Sequence, residues 1–165
     1  MEYRKLVQSI LVFFVFLVVA GCSYRVGSSS LELENFNYGF SMESANNYKV
    51  DFFMSSDSTY SIEQQDLFFD RYAGTDNKET KDGLLTSDEF DKFKRLIGDS
   101  GIYDLEDSYG FDESSDNTIV YMIELTENNN TKHVVINSEA DYSFKREFYE
   151  LIEYTTKIIN EKLPD

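Results

Sequence analysis

Phe36-Asn37-Tyr38-Gly39-Phe40-Ser41-Met42 and Tyr48-Lys49-Val50-Asp51-Phe52-Phe53-Met54 decide the fold class of this 165-residue chain. In the first stretch Phe36, Tyr38, Phe40 and Met42 recur at every second position, as Tyr48, Val50, Phe52 and Met54 do in the second. Successive side chains of an extended strand point to opposite faces, so each stretch makes a strand with one apolar face. The polar run Ser44 to Asn47 between them makes the pair a hairpin. Tyr60 and Ile62 begin a third strand. Leu67 to Tyr72 is an aromatic run whose pattern fits strand and helix alike.

Further along, the period changes. Phe90, Phe93, Leu96 and Ile97 share one helical face over Leu85 to Gly98, with Gly98 as the stop. Thr86 can cap the backbone N–H of Glu89 while Glu89 reaches back to that of Thr86, and Leu85 can pack on Phe90 as a hydrophobic staple. Thr118 to Thr126 and Lys132 to Asn137 read as strands joined by a polar turn, Glu127 to Thr131. A last helix runs from about Asp141 to Lys162, with Phe144, Phe148, Leu151, Ile152, Thr155, Ile158, Ile159 and Leu163 as its apolar stripe and Pro164 beyond its end. Two hairpins, each followed by a helix, predict an α+β domain: an antiparallel sheet with both helices on one face.

This order of features resembles a group of small uncharacterised secreted and lipoprotein domains. In them a strand pair leads to a Leu-Ser/Thr-x-x-Glu-Phe helix, a loop ending Tyr-Gly, an Asp before a hairpin, and a last helix. Leu85, Thr86, Glu89, Phe90, Tyr109, Gly110 and Asp116 carry the similarity. The resemblance brings no catalytic residue with it.

The N-terminus has its own signature. Arg4 and Lys5 precede an apolar run, Leu6 to Ala20, interrupted only by Gln8 and Ser9. That is the layout of a secretory signal peptide, and the run falls short of the roughly 20 residues a membrane-crossing helix needs. It ends Val19-Ala20-Gly21-Cys22, which resembles the bacterial lipobox. The resemblance implies cleavage before Cys22 and diacylglycerol on its thiol, the nucleophile that can be alkylated. It also implies two or three acyl chains, enough for stable tethering where a single chain is not. The protein is thus expected in the cell envelope, anchored to the outer face of a membrane. Ser23 is not the aspartate associated with inner-membrane retention in Gram-negative families, so in such a host the outer membrane is expected.

The reading therefore divides the chain into a signal peptide (1–21), the lipidated cysteine with a Ser- and Gly-containing flexible tether (22–32), and one acidic domain (33–165). Cys22 is the only cysteine, so its lipidation leaves no thiol for a disulfide, a metal or a nucleophile. The chain carries 15 Lys plus Arg against 31 Asp plus Glu, a formal net charge of −16. Loss of the leader makes it more negative by one. Phosphate backbones are held by Lys and Arg displacing counterions, so no nucleic-acid partner is expected.

Three constellations bear on chemistry. Asp82-Gly83-Leu84 followed by Glu89 looks like the second half of an EF-hand loop, with Gly83 at the sharp turn and Glu89 as bidentate ligand. Lys78 and Thr80 stand where the first ligands belong, so a turn followed by a capping box is preferred and no metal or other cofactor is expected; Asp76 could substitute from outside the pattern. The only histidine, His133, lies on the face of its strand opposite to Val134 and Ile136, without a nucleophile motif. Asp104, Glu106, Asp107, Asp112, Glu113 and Asp116 form an acidic stretch with no Lys or Arg inside it. Clustered like charges repel unless a cation or basic partner relieves them, which makes this the expected contact surface for a basic envelope protein. The expected function is a tethered binding module, inhibitory or protective, rather than an enzyme. The alternatives are a carboxylate-dependent hydrolase of wall or glycan material and a weak calcium-binding envelope protein.

Overall fold

A computed structural model describes residues 33–44, 47–75, 77–111, 119–139 and 142–163. The lipobox and Cys22, the tether, Asp76, Asp112, Glu113, Asp116 and Pro164 lie outside them. Strands β1 (Phe36–Ser44) and β2 (Tyr48–Ser55) pair antiparallel, with Tyr38 opposite Met54, Phe40 opposite Phe52 and Met42 opposite Val50. The alternation buries the expected set: Phe36, Tyr38, Phe40, Val50, Phe52 and Met54 are inaccessible, while Met42 and Tyr48 at the hairpin end are half-buried. Strand β3 (Thr59–Gln65) continues the meander and brings Ile62 onto Phe52 and Tyr60 onto Met54.

The Leu67 to Tyr72 stretch is helical. In α1 (Leu67–Ala73) the Asp66 carboxylate accepts from the backbone N–H groups of Phe68 and Phe69, and Gly74 closes the helix in the left-handed region (φ 65°). Its polarity is inverted. Asp70 is buried and accepts from the Gln65 side-chain amide, the Thr75 hydroxyl and the Asn77 N–H, which hold its carboxyl below the usual range. Phe68, Phe69 and Tyr72 are 56, 67 and 88 % exposed. A two-turn helix with its aromatic rings outward leaves no apolar face for a pattern to show.

The segment read as a turn is a strand, a correction to the expectation at Asp82 and Gly83. β4 (Lys78–Leu84) pairs antiparallel with β3 along its whole length. It is exposed on both faces except at Gly83, so it has no apolar alternation to betray it. Gly83 serves a close approach instead of a sharp turn: a Cβ there would lie 2.6 Å from the Tyr60 hydroxyl. Helix α2 (Ser87–Ser100) then begins at the expected capping box, with both Thr86–Glu89 hydrogen bonds formed. Gly98 lies inside the helix and does not stop it. Gly101, at φ 68°, does, where any side chain would be strained and a Cβ would lie 2.6 Å from Lys145 Nζ.

After a 3-10 turn (Ile102–Asp104) come β5 (Ser108–Tyr109), β6 (Ile119–Glu127) and β7 (Asn130–Asn137). The β6–β7 turn is tighter than expected, because Asn128 and Asn129 both take positive φ, the geometry of a two-residue hairpin loop. Helix α3 (Arg146–Lys162) starts later than expected from the sequence. Tyr142 and Phe144 ahead of it pack edge-on against Tyr109 at 4.9 Å and are not helical.

The sheet order is β4-β3-β2-β1-β6-β7-β5. It is mixed, not wholly antiparallel, because β5 joins β7 in parallel. The first hairpin is extended by β3 and β4 before α2 begins, and β1 pairs with β6 to join the two halves. Both helices do cover one face: Phe90 stacks on Phe36, and Phe93 meets Tyr38, Phe52 and Tyr154. Tyr38 also reaches Thr155 on α3 at 3.0 Å; since the Thr155 hydroxyl donates to the Leu151 carbonyl, Tyr38 donates to Thr155. The other face is open and mostly polar, with the Phe53 ring laid over Gly39.

Candidate functional site

The described members of the acidic stretch, Asp104, Glu106 and Asp107, lie at the β5 edge of the sheet. Asp104 ends the 3-10 turn, and Asp107 immediately precedes β5, where its carbonyl accepts from the Val135 N–H of β7. Asp104, Glu106 and Asp107 are all exposed. Two are already compensated from within the chain. Lys132 on β7 donates to Asp107 at 2.6 Å, and Lys145 donates to Asp104 at 3.4 Å. The Lys132 hydrogen bond, reinforced by its charge, holds the Asp107 carboxyl below its ordinary range. Of the three, only the Glu106 carboxylate has no such partner among the described residues; its backbone N–H donates to the Tyr109 hydroxyl.

That hydroxyl belongs to an aromatic group the sequence reading missed. Tyr109 contacts Tyr142 and Phe144, and Phe144 in turn contacts Phe148 and Tyr149 at 5.1 and 5.7 Å. The Tyr149 hydroxyl donates to the Tyr142 carbonyl, which pins the non-helical segment to α3. Phe144 and Tyr109 lean on the core, whereas Tyr142 and Tyr149, with Phe111 two residues beyond Tyr109, present large apolar surface to solvent. A sequence signal existed: Tyr142 and Tyr149 lie off the apolar stripe of the last helix, so nothing in the core accounts for them.

The other sequence candidates fall elsewhere. His133 lies on the open sheet face, its Nδ1 3.2 Å from Glu124. Glu89, the bidentate ligand of the calcium reading, has its two oxygens 2.8 and 3.1 Å from Lys162 Nζ, and Lys78 to Leu84 form a strand where that reading needs a loop. Between α2 and α3 a shallow cavity of about 310 Å³ is lined by Lys92, Arg95, Glu150, Glu153, Tyr154 and Lys157, with Lys92 over the Tyr154 ring. Its charges are mixed and its cations are surface side chains.

No protein-family model and no curated protein matches this chain. Among the described residues no helix is long and apolar enough to cross a membrane.

Proposed function

We propose that the chain is a lipid-anchored envelope protein whose domain binds a basic partner protein through the β5 edge. The observation that carries the binding half is the combination at that edge: exposed Phe111, Tyr142 and Tyr149 beside the acids Asp104, Glu106 and Asp107. Aromatic anchors in a polar rim are the usual composition of a protein contact surface. Because Lys132 and Lys145 already neutralise two of the acids, the aromatics supply the contact area and Glu106 the steering charge. The anchoring half rests on Val19-Ala20-Gly21-Cys22 and the apolar leader before it.

Two measurements test the halves separately. Mass spectrometry of the detergent-extracted protein is expected to find Cys22 as the lipid-bearing N-terminus; a free Cys22 thiol or an intact Met1 to Gly21 overturns the anchor. Crosslinking and pull-down from intact cells is expected to recover a basic protein whose retention falls as salt rises, exposed charges being screened over about 8 Å at physiological ionic strength. Tyr142→Ala and Glu106→Lys should each weaken that retention. A partner held equally by both variants overturns the assignment of the surface, and glycan turnover abolished by one carboxylate-to-amide change overturns the binding reading in favour of the hydrolase.

A further inference from the structure

We propose that β4 is a self-pairing edge, through which two copies of this chain associate antiparallel about a two-fold axis at Thr80. Among the described residues β4 ends the sheet, and no strand of theirs pairs with its far side. It therefore offers a row of free backbone N–H and C=O groups over Lys78–Leu84, whereas β5 at the opposite edge spans two residues. Such an edge is normally guarded by lysines, which work by setting like charge against like.

The order of charges on β4 reverses that effect. Residues directly opposed in an antiparallel pair must point to the same face, so a two-fold axis normal to the sheet has to pass where one residue meets its own copy. An axis at Lys78, Glu79, Lys81 or Asp82 stacks that charge on itself. An axis at Thr80 sets Lys78 against Asp82 and Glu79 against Lys81, each twice by symmetry, with the two threonines at the centre. Every charge from Lys78 to Asp82 is then matched: Lys78 and Asp82 on the open face, Glu79 and Lys81 on the helix-covered side, which carries Tyr60 and Ile62. The five residues carry no net charge in a chain whose formal charge is −16, so the strand itself adds nothing to the repulsion between two copies. Leu84, 67 % exposed, lies just past the paired stretch.

The test uses the full-length chain carrying Thr80→Cys and a short bismaleimide crosslinker, with the unmodified chain, whose one cysteine is Cys22, as background. Thr80→Cys is expected to give a crosslinked dimer above that background. Adding Glu79→Lys or Lys81→Glu turns two attractive pairs into two repulsive ones and should lower the yield roughly tenfold. Mixing the two charge variants restores complementarity and should restore the crosslink between unlike copies, as should the double variant Glu79→Lys/Lys81→Glu with itself. Recovery on mixing cannot come from misfolded single variants. No crosslink from Thr80→Cys, or a yield indifferent to these charges, overturns the proposal. Neither outcome depends on the lipid anchor or on the β5-edge surface.

Discussion

Replacing Phe93 by alanine is expected to destabilise the domain by about 3–5 kcal/mol, the usual cost of emptying a fully buried aromatic site. Phe93 is 0 % exposed and is the point where the sheet and both covering helices meet. Its ring stacks on Phe52 at 5.6 Å and packs against Tyr38 at 6.0 Å and Tyr154 at 4.8 Å. The space left by truncation cannot close easily, because its walls are held from elsewhere: Tyr38 is tied to Thr155, and Phe52 lies between β1 and β3 in the sheet. A cost near the upper end of the range follows, corresponding to a fall in Tm on the order of 10–20 °C. Urea unfolding of Phe93→Ala beside Phe90→Ala checks it. Phe90 is only half-buried over Phe36, so its loss should cost clearly less. Equal costs for the two would mean that α2 does not face the sheet through Phe93.

The second large effect is expected at Glu89. Its carboxylate accepts from the Thr86 N–H at 2.7 Å and from Lys162 Nζ at 2.8 and 3.1 Å, so one side chain caps the start of α2 and ties it to the end of α3. Glu89→Ala should cost about 2 kcal/mol at neutral pH, combining a lost cap interaction with a charged hydrogen bond. The pH dependence has a defined sign. Burial pushes the Glu89 carboxyl up, but the hydrogen bonds from Lys162 and Thr86 outweigh it and leave the folded value below the ordinary one. A folded value below the unfolded one means stability that is complete above the unfolded value, about pH 4.3, and lost as pH falls through the folded value. The Glu89 hydrogen bond raises Lys162 in turn, so its share persists through neutral pH and is lost only as pH rises through that raised value. The gap between wild type and Glu89→Ala should therefore be widest near neutrality and narrow in acid. Urea midpoints at pH 7 and pH 3 measure it, and a gap constant with pH would mean that the carboxylate charge contributes nothing.

Glu89 also shows how differently parts of the chain can be read. The capping box is legible because its four residues are consecutive and the geometry of a helix start is local. The partner that completes it, Lys162, is separated by 73 residues and leaves no trace in the pattern around Thr86. The acidic stretch behaves in the same way. With no Lys or Arg inside it, Asp104 to Asp116 reads as uncompensated charge. Lys132 and Lys145 relieve two of its members across sequence separations of 25 and 41. What remains distinctive at that edge is aromatic, and it was hidden because Tyr142 looked like the first turn of a helix that begins only at Arg146.

By itself, the sequence determined the α+β class, the inward faces of β1 and β2, and the apolar stripes of α2 and α3. Each follows from a period of two or 3.6 residues, which one strand or helix imposes on its own side chains once one of its faces is buried. Only the tertiary structure decided that Lys78–Leu84 is the edge strand, that β5 joins in parallel, that α1 turns its aromatic rings outward, and which lysines meet which acids. β4 and α1 bury almost no side-chain surface and so carry no period. Strand order and ion pairs, for their part, are relations between segments far apart in the chain, which packing and backbone hydrogen bonding settle after each segment's local preference has been satisfied.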